Sequence, residues 1–153
     1  MTTLSPYLYN NSKDKLRKGY EMKPKWVKEC INIPNIVELP LSSAVRAGDY
    51  IFVSGHGGFV DKDGREVKGI KAQTKQCLEN IKQVLEAAGS SLSDVVKVNV
   101  FITDADDFAQ MGEAYKDYFT KDCPARSTVV TRLARPDMVI EVECVAYKPQ
   151  VTP

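Results

Sequence analysis

The feature that most constrains this chain is a change of hydrophobic period within one short stretch. Between Gly69 and Gly89 the residues Ile70, Thr74, Cys77, Leu78, Ile81, Leu85 and Ala88 recur at spacings of three and four, while Lys71, Lys75, Glu79, Lys82 and Glu86 take the other side. This predicts an amphipathic helix, closed by Gly89, a residue that readily adopts the left-handed backbone of a helix end. After a turn at Ser90 to Asp94, the run Val95-Val96-Lys97-Val98-Asn99-Val100-Phe101-Ile102 is β-branched and aromatic, which predicts a strand. Helix and strand therefore share one folding unit.

The flanking segments extend the pattern. Ser42 to Ser54 reads as two short strands joined by a turn at Ala47-Gly48-Asp49, followed by a loop carrying Gly55, Gly57 and Gly58 and then Asp61 to Gly64. A second helix follows the strand, with Asp104 as its N-cap and Phe108, Met111, Ala114, Tyr115, Tyr118 and Phe119 as its apolar stripe. Pro124 breaks the chain, and two strand-like runs, Arg126 to Leu133 and Met138 to Tyr147, are separated by a turn at Ala134-Arg135-Pro136-Asp137. The order ββαβαββ predicts an α+β fold, a mixed sheet with two helices on one face. A sheet face without helices must meet water or another subunit, so a homo-oligomer is expected.

Length and composition limit the function classes. A chain of 153 residues, 43% hydrophobic and 27% charged, fits one globular domain and excludes disorder or a fibrous repeat. Residues 1 to 34, broken by Pro6, Gly19, Pro24 and Pro34, read as an extension, and residues 35–150 as the single domain. Residues 1 to 28 hold seven Lys and Arg against Asp14 and Glu21, although the net charge is only +1. With no nucleic-acid motif in register, this segment reads as a solvated basic arm, and nucleic acid is not the expected partner. No run approaches the roughly 20 apolar residues of a membrane span and no secretory signal is visible, so a cytoplasmic protein without a membrane partner is expected. Cys30, Cys77, Cys123 and Cys144 form no C-x-x-C pair and read as reduced thiols, with Cys77 and Cys144 buried.

Chemistry is concentrated near the C-terminus. The period of two puts Glu141, Glu143 and Val145 on one face of the last strand and Ile140, Val142, Cys144 and Ala146 on the other. Arg126, Thr128, Val130 and Arg132 share a face of the preceding run, so Arg126 and Glu141 would meet across a short hairpin if the register allows. An arginine grips a carboxylate through its two-pronged guanidinium, and a glutamate can orient or deprotonate a water. The same pair also suits a structural salt bridge. His56, the single histidine, stands beside Ser54-Gly55 and could titrate near neutral pH. With no second histidine and no cysteine near it in sequence, no metal site is expected. No G-x-S-x-G, P-loop or G-x-G-x-x-G context occurs either.

The segment C-P-A-R-S-T-V-V-T-R-L at Cys123 to Leu133, followed by I-E-V-E-C-V-A at Ile140 to Ala146, resembles the C-terminal signature of the Rid (YjgF) family of imine and enamine deaminases. A-G-D-Y-I-F-V-S-G, A-Q-T, L-E-N-I-K-Q-V-L-E-A-A-G, D-V-V-K-V-N-V-F-I-T-D, D-F-A and Y-K-D-Y-F match in the same order, and the resemblance covers about residues 35 to 148. It implies a chorismate-mutase-like fold, a homotrimer with clefts between subunits, and hydrolysis of 2-imino or enamino acids to a 2-keto acid and ammonia, with no cofactor. By the same resemblance, Arg126 grips the substrate carboxylate, Glu141 positions the attacking water, and Ser54 and Gly55 line the pocket.

Three positions depart from the family pattern. Leu41 stands where a tyrosine is common, Gly112 where an asparagine is frequent, and His56 where a glutamine is frequent. All three are counted among the substrate-binding positions, and the exchange of a hydroxyl and an amide for apolar or absent side chains points to an altered substrate. Two functions follow. One is a cofactor-free deaminase. The other is a non-catalytic trimer that binds a small-molecule carboxylate.

Overall fold

The computed structural model describes residues 28–33 and 40–150. The expected basic arm, apart from Lys28, lies outside the described residues. Within them the chain forms β1 (Lys28–Ile31), β2 (Ala44–Ala47), β3 (Tyr50–Gly57), α1 (Ile70–Ala87), β4 (Val95–Ile102), α2 (Phe108–Lys116), β5 (Ala125–Val130) and β6 (Ile140–Tyr147). The α+β fold and the ββαβαββ order are observed, with one further strand in front. That strand, β1, falls in the segment read as an extension. Four residues are too few to display a period, and β1 owes its existence to pairing with β2, where Ile31 lies opposite Ala44.

The six strands form one mixed sheet in the order β1-β2-β3-β6-β4-β5. All neighbours are antiparallel except β5, which runs parallel to β4 at the edge. This corrects the expected hairpin: β5 and β6 are not paired, because β4 lies between them. The connecting residues 131–139 are long enough to pass β4, and the two strands stop short of that link, β5 ending at Val130 and β6 beginning at Ile140.

The core follows from two periods meeting. Along α1 the residues Cys77, Leu78, Ile81, Val84 and Leu85 are fully buried, and they share one cluster with Ile51 of β3, Val98, Val100 and Ile102 of β4, and Ile140, Val142, Cys144 and Ala146 of β6. Each fully buried Leu, Ile or Val contributes roughly 2 kcal/mol by leaving water. Met111, Tyr115 and Phe119 bring α2 and the turn after it into the same cluster, so both helices cover one face. Cys77 and Cys144 are buried, whereas Cys30 and Cys123 are exposed.

Buried polar groups tie the loops to this frame. Gln73, on the first turn of α1, donates from Nε2 to the carbonyls of Val67 (2.9 Å) and Asp137 (2.8 Å), and its Oε1 accepts from the Val139 amide (3.0 Å). Arg46 is buried on β2, where Nη2 donates to the Ala88 carbonyl at 2.6 Å and Nη1 to the Lys148 carbonyl at 3.2 Å. A cation here also meets the negative end of the α1 dipole.

The opposite face of the sheet is bare. Tyr50, Phe52 and Tyr147 are nearly half exposed there, with the Tyr50 and Tyr147 rings 5.2 Å apart, an apolar cluster that a lone subunit leaves in water. Among the described residues no helix is long and apolar enough to cross a membrane.

Arg46→Met keeps the length of the side chain but strands two carbonyls. Denaturant unfolding is expected to show a loss of about 3 kcal/mol, the worth of charge-assisted hydrogen bonds at a buried site. A loss below about 1 kcal/mol would mean that water replaces the guanidinium.

Candidate active site

The candidate site residues fall mainly in two clusters on opposite faces of the sheet. The first surrounds Arg126. Register sets this residue beside Val98, so its side chain lies on the helix-covered face. Above it, α2 presents Phe108, Met111 and Tyr115, spaced three and four apart along one stripe. The guanidinium carbon is 4.6 Å from the Tyr115 ring centre and 5.8 Å from that of Phe108, and Nη1 is 4.0 Å from Met111 Sδ. Among the described residues no carboxylate lies within ion-pairing distance of Arg126. Aromatic faces orient a planar guanidinium without neutralising it, so the fork is held in place with its charge unspent. Burial pushes the Tyr115 phenol up to about 12, and its hydroxyl has no hydrogen-bond partner among the described residues.

The second cluster surrounds Glu141, on the bare face opposite Gly57 of β3 and Phe101 of β4. A register shift in β3 between Val53 and His56 shapes it. Without that bulge Ile51, Val53 and Gly55 would all point into the core. With it, His56 turns inward and Gly55 faces the Glu141 carboxyl. A Cβ on Gly55 would collide with Glu141 Oε1 and stand 2.9 Å from its Cδ, so only glycine lets the carboxyl rest here. Burial, and then the like charge of Glu143, raise the Glu141 pKa above the ordinary carboxylate value. Glu143 itself accepts a hydrogen bond from Asn99 Nδ2 at 2.9 Å.

Arg126 and Glu141 thus do not meet within one chain. They form no salt bridge, and the expected contact across a hairpin is replaced by a separation of one strand and one sheet thickness. Ser54 and Gly55 accompany Glu141. The Ser54 hydroxyl donates to the Ser42 carbonyl at 2.7 Å, pinning the bulge to the chain before β2. Leu41, next to Ser42, is 52% exposed. Gly112 accompanies Arg126, one turn along α2 from Phe108. His56 belongs to neither cluster. It is buried, burial lowers its pKa against the opposing contact with the Ser43 backbone, and Nε2 has no partner among the described residues.

Sequence reasoning missed Phe108, Met111 and Tyr115 as neighbours of Arg126, reading them only as a core stripe. The available signal was the spacing of seven between two aromatics, which stacks them along one helix face. Among the described residues, no three His, Cys, Asp or Glu side chains gather as a metal site would require.

The Glu141 carboxyl is expected to titrate above an ordinary glutamate when followed by NMR. Glu143→Gln removes a negative neighbour, makes ionisation easier and must lower that pKa. An unchanged or raised value would contradict the assignment of Glu143 as a cause.

A family model described as Endoribonuclease L-PSP matches residues 34–148. A RutC family protein of Pyrococcus horikoshii is 51% identical over 111 residues, 71% of this chain and 87% of that protein. Reactive Intermediate Deaminase A, chloroplastic, of Arabidopsis thaliana is 36% identical over 108 residues, 70% of this chain and 58% of that one. Among solved structures, E. coli TdcF with bound serine is similar at a TM-score of 0.72 and 32% identity, covering 78% of this chain and 98% of that chain.

Proposed function

The chain belongs to the Endoribonuclease L-PSP family, that of the RutC, YjgF and Rid proteins, and from that premise we propose that it is a cofactor-free hydrolytic deaminase of 2-imino and enamino acids. The observation that carries this reading is Arg126, a guanidinium oriented by two aromatic rings with no carboxylate of the described residues to neutralise it. A small carboxylate suits that fork through two parallel charge-assisted hydrogen bonds. The relative from Arabidopsis named a reactive intermediate deaminase, and the serine bound by E. coli TdcF, both agree with a small amino-acid-like ligand.

Arg126 and Glu141 lie on opposite faces of one chain, so a site containing both draws them from two copies. The bare face with Tyr50, Phe52 and Tyr147 supplies the surface on which copies associate, in the homotrimer that the family resemblance implies. In that cleft Arg126 fixes the substrate carboxylate. Glu141, ionised but with its basicity raised, accepts a proton from water as the water oxygen bonds to the imine carbon. The π electrons of the C=N bond move to nitrogen, which takes up the proton that Glu141 removed from the water. The resulting carbinolamine expels ammonia as its hydroxyl collapses to a carbonyl, Glu141 taking the hydroxyl proton and passing it to the leaving nitrogen. The balance is one imino acid and one water giving one 2-keto acid and one ammonia. Orientation of water and electrophile supplies the acceleration.

Ribonucleolytic cleavage, the activity in the family's name, finds less support. His56 is buried with a lowered pKa, and Arg126 stands among apolar rings rather than other cations.

Imines generated in situ by an amino acid oxidase, with semicarbazide reporting how long each survives, test the proposal. The protein is expected to hasten ammonia release, and Arg126→Ala to reduce the effect about 100-fold or more by loss of substrate orientation, with an unchanged melting temperature. Binding of 2-keto acids without any acceleration would instead favour the non-catalytic carboxylate-binding reading, and full activity in Arg126→Ala would refute the role of Arg126.

A further inference from the structure

Gly112 lies in the middle of α2, where glycine weakens a helix relative to alanine. Nothing in the packing of the described residues asks for it. Its backbone is not in the left-handed region, which is occupied by Gly48, Gly64, Gly69 and Gly89. A Cβ built on it meets no heavy atom within 4 Å, so the missing side chain makes room for no other described part of the chain.

Its position gives the space a meaning. Phe108, Gly112 and Tyr115 fall at i, i+4 and i+7 on one helix face, and both rings are those that flank the Arg126 guanidinium. Gly112 is the gap between them. Phe108 closes one end of that gap and is 50% exposed, an apolar wall open on its outer side. Met111, fully buried one residue away, backs the Arg126 guanidinium from the core side, with Sδ 4.0 Å from Nη1.

We propose that the space over Gly112 seats the side chain of the ligand, and that the site selects 2-imino acids with bulky apolar side chains, aromatic ones above all. A carboxylate paired with Arg126 projects the rest of its molecule along the α2 face, and a flat ring then packs against Phe108. Any side chain at position 112 would fill that slot. The inference rests on the reading of Arg126 as the carboxylate receptor, but not on turnover.

Calorimetric titration of the full chain with stable 2-oxo acids, namely pyruvate, 4-methyl-2-oxopentanoate and phenylpyruvate, tests it. Affinity is expected to rise along that series, with phenylpyruvate bound about tenfold or more tighter than pyruvate, as apolar pockets discriminate by size. Gly112→Leu should bring the ratio of the two affinities close to one. Gly112→Ala, which improves the helix, should raise the melting temperature while lowering the same ratio. Equal affinities in the parent protein, or a size ranking intact in both variants, would overturn the inference and leave the carboxylate reading standing. Failure to bind any of the three acids would overturn the carboxylate reading and the inference with it.

Discussion

The alternation of β6 between its two neighbours governs where chemistry can occur in this fold. β6 is flanked by β3 on one side and β4 on the other, and its residues Ile140, Val142, Cys144 and Ala146 form the floor on which α1 packs. With four side chains committed to the core, Glu141 and Glu143 have no choice but the opposite face. A shift of one residue would bury both carboxylates under α1, which no balance of packing could offset. The same frame sets β5 beyond β4, parallel to it, and aligns Arg126 with Val98 on the helix side. The separation of Arg126 from Glu141 is thus a consequence of core packing.

Charge is handled differently in these two places than elsewhere on the surface. Lys71 pairs with Glu113, Lys75 with Asp117, Arg65 with Asp63 and Arg135 with Asp137. Arg126 receives aromatic rings instead of a counter-ion. Glu141 rests against a glycine, and burial, followed by the like charge of Glu143, pushes its pKa the wrong way for stability and the right way for a base. A cation and an anion that the described residues leave uncompensated, in positions the fold keeps apart, are the arrangement typical of functional sites. Covering the bare aromatic face with a second copy would take Tyr50, Phe52 and Tyr147 out of water.

Legibility in the sequence depended on how local each feature is. α1 and β4 were readable because each carries a long period of its own, and the face of Glu141 followed from the same counting. The pairing of strands was not. Alternation tells which way a side chain points but not which strand lies beside it, and the Pro136 turn looks the same in a hairpin and in a link that passes over an intervening strand. β1, with four residues, has no period to read. Gly55 and His56 read as a loop, whereas β3 runs on to Gly57 through a bulge that turns His56 inward, and in sequence that bulge leaves only the glycines around it as its trace. The motif around Arg126 was plain, but the rings that hold it came from α2 and met it only through the parallel pairing of β5.

If Arg126 and Glu141 act together from different copies of the chain, two inactive variants must complement each other. The decisive measurement mixes Arg126→Ala with Glu141→Gln, unfolds and refolds them together, and assays imine hydrolysis. In a randomly mixed trimer about a quarter of the clefts would combine an intact Arg126 from one copy with an intact Glu141 from its neighbour, so activity should return to about a quarter of that of the parent protein. A mixture as inactive as either variant alone, with exchange of subunits verified by mass, would contradict a shared cleft and return both residues to a single chain.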